Sequence, residues 1–63
     1  MKAPFVVLAK LDSQAQVLAT VSSRPSRAIR AAMELGKHYD ADIYIARQND
    51  LTYPPILVRR RLP

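Results

Sequence analysis

Cysteine is missing from this 63-residue chain, and glycine and histidine occur once each. Without cysteine, no disulfide or thiolate metal site can staple the fold. One histidine leaves an all-protein zinc site short of its usual ligands. A single glycine, Gly36, excludes a glycine-rich phosphate loop. No apolar run approaches the ~20 residues that span a bilayer. The apolar run Phe5 to Ala9 is too short for a signal peptide, and no small-residue cleavage site follows it. These absences lead us to expect a soluble, cytoplasmic protein with no cofactor, no metal and no membrane partner. Acidic groups are scarce too: five against ten basic ones, for a net charge of +5. That excess favours nucleic acid or an acidic protein surface as partner. It also keeps a small apolar domain soluble, which is its plainer meaning.

One helical period is present. From Ser23 to Tyr39, residues Ala28, Ile29, Ala32, Met33, Leu35, Gly36 and Tyr39 share one broad face at 100° per residue. Arg27, Arg30, Glu34, Lys37 and His38 share the other, so the segment predicts an amphipathic helix with its dry side on a core. Ser23 is the expected N-cap, with Pro25 in the first turn, where a missing N–H costs nothing. Glu34 has Arg30, Lys37 and His38 at helical spacings for ion pairing. Two roles for Gly36 stand equal: the residue that ends the helix, or a point of close approach to a sheet.

Extended segments lie on both sides. Phe5 to Leu11 is an almost continuously apolar strand. Asp12 to Gln16 is short and polar, as in a hairpin loop, and Gln16 to Val21 is the return strand. Ala41 to Arg47 alternates, with Ala41, Ile43 and Ile45 facing one way. Gln48 to Asp50 is a turn. Pro54 and Pro55 remove consecutive donors and confine Ile56 to Arg59 to an edge. Residues 59–63 are expected to fray. The fold class is therefore α+β: residues 1–63 as one domain, a small antiparallel sheet of three to four strands (ββαβ or ββαββ), and one helix on one face. One helix covers only one face. The other carries Val6, Leu8, Leu18 and Tyr44, too apolar for an ordinary solvated surface. Coverage by the C-terminal segment, a homodimer, or a partner site would each account for it.

Candidate chemistry is thin. His38, Asp40 and Asp42 would share one side of an extended segment and supply metal-donor atoms, the basis for a remote metal-dependent-enzyme reading. A cationic histidine near a helix end, followed by turn aspartates, is the plainer account. No nucleophile has an evident base, and an enzyme-sized pocket would consume most of so small a core. The expectation is a non-enzyme. Basic residues fall in three places: Arg24, Arg27, Arg30 and Lys37 on the outer helix, Arg47 at a strand end, and Arg59, Arg60 and Arg61 in a run. Tyr44 and Tyr53 have rings that can stack on bases. No RNP1-like aromatic run and no GXXG loop is present.

The Met1-Lys2-Ala3 start into an apolar strand, Ser22-Ser23 opening an arginine-bearing helix, and Ile43-Tyr44-Ile45 followed by Asn49-Asp50-Leu51 carry a resemblance of layout. In order and spacing the chain resembles small phage-encoded inhibitor proteins, of the anti-CRISPR type or the type that binds host RNA polymerase. That resemblance implies a non-enzymatic protein that blocks a nucleic-acid-handling machine in the host-cell cytoplasm. It assigns no individual residue. The expected function is thus a small binding protein, a regulator or inhibitor of a nucleic-acid-handling protein complex. The alternative is a module that binds DNA or RNA directly through the basic helix face or the sheet.

Overall fold

The computed structural model describes residues 3–50 and 52–61. Its elements run β1 (Phe5–Leu11), β2 (Gln14–Thr20), α1 (Pro25–Gly36), β3 (Asp42–Arg47) and β4 (Ile56–Arg59). The four strands form one antiparallel sheet in the order β2-β1-β3-β4. The α+β class and the single helix on one face are as the sequence predicts.

The β1–β2 hairpin is tighter than expected. Leu11 pairs with Gln14, so the loop is only Asp12 and Ser13, and β2 begins two residues earlier than the composition suggested. Asp12 makes this possible by taking φ 53°, a left-handed conformation that aspartate tolerates better than most residues. Asn49 does the same at φ 60° in the turn after β3.

Phe5, Val7 and Ala9 from β1 and Ala41, Ile43 and Ile45 from β3 and its approach form the buried floor of the core. Ala28 and Ala32 of α1 close it from above. Period-two alternation puts both strands' apolar sets on one side, because Val7 pairs with Ile45 and Ala9 with Ile43. Burying side chains the size of Phe5, Ile43 and Ile45 stabilises by about 1.5–3 kcal/mol each, so these few residues dominate the fold's stability.

The helix sits on a narrower stripe than its periodicity implied. Ala28, Ala32 and Gly36, spaced four apart, are its buried residues, with Ile29 and Leu35 packed at the flanks. Met33, expected in the core, is 51% exposed. A stripe of small residues lets the helix lie close to the sheet, and a twelve-residue helix on a twisted sheet then seats only one row deeply. Gly36 is the last helical residue, and it is followed by Lys37 in an ordinary right-handed conformation. It is not a left-handed cap. A Cβ there would stand 2.9 Å from Ile43 Cγ1, so close approach is its role. Tyr39 lies beyond the helix and is 41% exposed, off the dry face where the helical wheel put it.

The N-cap is Arg24, not Ser23, and no side chain caps it. Pro25 takes the first helical position and restricts the residue before it to extended backbone, and Arg24 has φ −87° and ψ 125°. Ser22 Oγ instead accepts from the Arg24 amide at 3.0 Å. Of the three pairings open to Glu34, the Lys37 one forms, at 3.2 Å.

Both edge strands carry a register irregularity. In β2 the pairing steps from Val7↔Ala19 to Leu8↔Val17, and in β4 from Ile43↔Arg59 to Tyr44↔Leu57. The extra residues are Leu18 and Val58, and both pack against the core on the helix side. Bulges of this kind bend an edge and interrupt its ladder, which blunts open-ended strand pairing.

Candidate functional site

The face of the sheet opposite α1 has no element of the described residues packed across it. Its centre is Val6, Leu8, Tyr44 and Ala46, paired across β1 and β3 as Val6↔Ala46 and Leu8↔Tyr44. The flanks are Val17 opposite Leu8 and Leu57 opposite Tyr44, 59% and 38% exposed. Leu8, Lys10, Ala15, Tyr44 and Pro55 line a shallow groove of about 190 Å³ there. Charge on this face is confined to one end, where Lys10 pairs with Asp42 across β1 and β3. Four of the residues expected on this face were Val6, Leu8, Leu18 and Tyr44. Three are in place, but Leu18 is not. The bulge in β2 turns Leu18 to the core and puts Val17 on the open face instead. A strict period of two misses this, because one inserted residue reverses the side of everything beyond it. Among the described residues the C-terminal segment does not fold across the face; it continues the sheet as β4.

Apart from Lys10, the basic side chains among the described residues divide into three groups with different surroundings. Arg24, Arg27 and Arg30 are exposed along the outer helix. Arg47 is engaged inside the fold. Its position opposite Phe5 puts it on the helix side of the sheet. The guanidinium lies over the Phe5 ring at 4.1 Å and near the Tyr53 ring at 5.2 Å, while those rings meet edge-on at 5.6 Å. Nη1 donates to Ala3 O at 2.6 Å and Ser23 O at 3.3 Å. Arg47 therefore ties the chain's start and the helix entry to β3. Tyr53, expected as an open ring for base stacking, is packed against the same core.

The third group surrounds a cleft of about 270 Å³ between the end of α1 and the end of β4, lined by Lys37, His38, Tyr39, Asp40, Arg59, Arg60 and Arg61. Specific contacts hold this corner. Arg59 closes β4. The Arg61 amide donates to Asp42 Oδ1 at 2.6 Å, and Arg61 Nε to Asp40 Oδ1 at 3.2 Å. Leu62 and Pro63 lie outside the described residues, as do Met1, Lys2 and Leu51 of the layout resemblance. Asp40 and Asp42 thus point to Arg61 and do not converge with His38. Among the described residues no cluster of three metal-donor side chains exists. Nor is any helix among them long and apolar enough to cross a membrane.

Asp50 is held below the ordinary carboxylate range, chiefly because the Thr52 hydroxyl donates to its Oδ1 at 2.6 Å, with the Thr52 amide adding a second bond at 3.0 Å. This is a turn-stabilising arrangement in the loop between β3 and β4.

No family model, curated protein or solved structure matches the chain.

Proposed function

We propose that this protein is a non-enzymatic binding protein that docks on a protein partner through the open face of its sheet. The observation that carries this reading is the apolar stripe Val6, Leu8, Val17, Tyr44, Leu57, with its charge kept to one end. The largest apolar patch on a small protein is often its contact site.

Size and charge choose the class of partner. Four strands about 4.8 Å apart and six residues at about 3.3 Å each give a flat footprint of roughly 300 Å². Two copies packed face to face would bury roughly twice that, short of the ~1,000 Å² total expected of a specific interface. They would also oppose two chains of net charge +5. A different protein that covers the face and extends beyond its edges meets neither obstacle. Acidic groups on that partner would complement Lys10 at the end of the face, which makes no ion pair among the described residues. A regulator or inhibitor of a nucleic-acid-handling complex fits this combination, in keeping with the layout resemblance to small phage-encoded inhibitors.

Photo-crosslinking tests the reading. A photoreactive side chain at Val17 or Leu57 should yield one discrete protein adduct in cells that make the protein, and Leu8→Lys should abolish it while leaving the circular dichroism spectrum unchanged. Adducts only between copies of the chain would replace the partner by a homodimer. Nuclease-sensitive adducts would favour the nucleic-acid alternative. Adducts that survive Leu8→Lys would remove the open face from the interface.

A further inference from the structure

We propose that the cleft between α1 and β4 binds the phosphodiester backbone of single-stranded nucleic acid, with Tyr39 stacking on a base. This does not depend on what covers the open sheet face, which lies on the other side of the sheet.

Five of the seven lining residues carry basic side chains: Lys37, His38, Arg59, Arg60 and Arg61. The single carboxylate among them, Asp40, is already turned to Arg61. The helix end would ordinarily repel an anion through its free carbonyls. Here three of those carbonyls are occupied, because the amides of Lys37, His38 and Tyr39 donate to the oxygens of Glu34, Leu35 and Gly36. The stem of Arg59 runs past Gly36, and its Cδ lies 3.4 Å from where a Cβ would be. The missing side chain at position 36 is thus part of what lets Arg59 enter the cleft. The cleft floor is set by the Arg61 bonds to Asp40 and Asp42, which hold the end of β4 beside the α1–β3 loop.

The existing ion pairs do not compete strongly. Lys37–Glu34 and Arg61–Asp40 have side chains more than half exposed, and pairs of that kind are worth little. A phosphate can exchange for either carboxylate. Arg59 and Arg60 make no ion pair among the described residues and are open to a phosphate directly.

Volume and lining together select the ligand. Sites that enclose a small molecule start at about 300 Å³ and are mostly apolar. This cleft is smaller and ringed with cations, which suits a charged group on a longer polymer. An acidic peptide would meet the cations and leave the exposed Tyr39 ring without a partner. A duplex would present phosphates but no free base face. A single strand supplies both, and base stacking on an exposed aromatic beside a basic track is how such strands are held without sequence preference.

The test titrates the full chain into fluorescein-labelled oligo-dT and oligo-U of about 12 nucleotides, within the range of known single-strand site sizes, following anisotropy across a salt series. Arg59→Gln and Arg60→Gln should each lower the slope of log affinity against log salt by about 0.7, the value per phosphate contact for single strands. Tyr39→Ala should weaken binding roughly 5- to 100-fold. Arg27→Gln, about 13 Å along the helix from Gly36 at 1.5 Å per residue, should leave the slope unchanged. Thermal melts accompany each variant. If Arg59→Gln loosens the fold, Arg60→Gln, whose side chain is exposed, decides the slope. Absence of binding at low salt would overturn the proposal, as would equal loss of slope in Arg27→Gln, which would mean generic attraction to a cationic chain. Equal affinity for duplex, or displacement by polyglutamate at matched charge, would also overturn it, the latter assigning the cleft to an acidic protein segment.

Discussion

Replacing Gly36 by alanine sets two physical effects against each other. Intrinsic propensity favours the change by about 1 kcal/mol in a helix interior, and by less at the final residue. Packing opposes it. The new Cβ would lie 2.9 Å from Ile43 Cγ1, 3.7 Å from Ile43 Cβ and 3.4 Å from Arg59 Cδ. Ile43 is fully buried and β-branched, so its γ-carbon cannot swing away without leaving its rotamer. The remaining response is for α1 to lift, which loosens the Ala28 and Ala32 contacts along the same stripe. Overpacking of this kind costs about 1–3 kcal/mol. The expected net loss is about 1–2 kcal/mol, or roughly 4–16 °C in the melting temperature of a domain this small. Thermal denaturation followed at the helical circular dichroism band measures it, with Glu34→Ala on the exposed face as the comparison. A Gly36→Ala protein that melts higher than the parent would show that propensity outweighs contact and that the helix does not sit on Ile43 as described.

Three further outcomes follow from the same geometry. Arg47→Met should lower stability by about 2 kcal/mol in urea titration, because hydrogen bonds from a charged donor and cation–π contact are lost together; an unchanged midpoint would mean that Arg47 is a surface cation after all. Met33→Ala should stay within about 0.5 kcal/mol of the parent, as exposed positions do, whereas a loss of 2 kcal/mol or more would return Met33 to the core. Thr52→Val should raise the Asp50 titration midpoint towards the ordinary carboxylate value in an NMR pH series. The sign is that of a depressed acid: the Asp50–Thr52 contribution is present above the unfolded value and is lost as pH falls through the lower, folded one. A midpoint that does not move in the variant would refute the hydrogen-bond cause.

Legibility in the sequence varied by the kind of signal. The strands β1, β3 and β4 and the single helix follow from local patterns: β-branched runs, alternation at Ala41, Ile43 and Ile45, and a proline that opens a helix. Such patterns reflect side-chain direction along a segment, and direction is local. The apolar second face was legible for the same reason at Val6, Leu8 and Tyr44. Leu18 was not, because a bulge is decided by how two strands pair and neither strand announces it alone. Met33 was misplaced because a helical wheel shows which side is apolar but not how wide the seat is. That width depends on the sheet's twist and on how near Ala28, Ala32 and Gly36 allow the helix to come. Arg47 read as one more cation among ten, and its half-buried seat against Phe5 and Tyr53 required segments six and forty-two residues away to meet. The cleft was legible least of all. Lys37 to Asp40 and Arg59 to Arg61 are separate stretches of ordinary polar sequence, and they become one basic corner only because β4 runs antiparallel to β3 and ends beside the helix terminus. Local chemistry determined the elements, while pairing partners and interlayer distance, which are properties of the assembled chain, determined which residues share a surface.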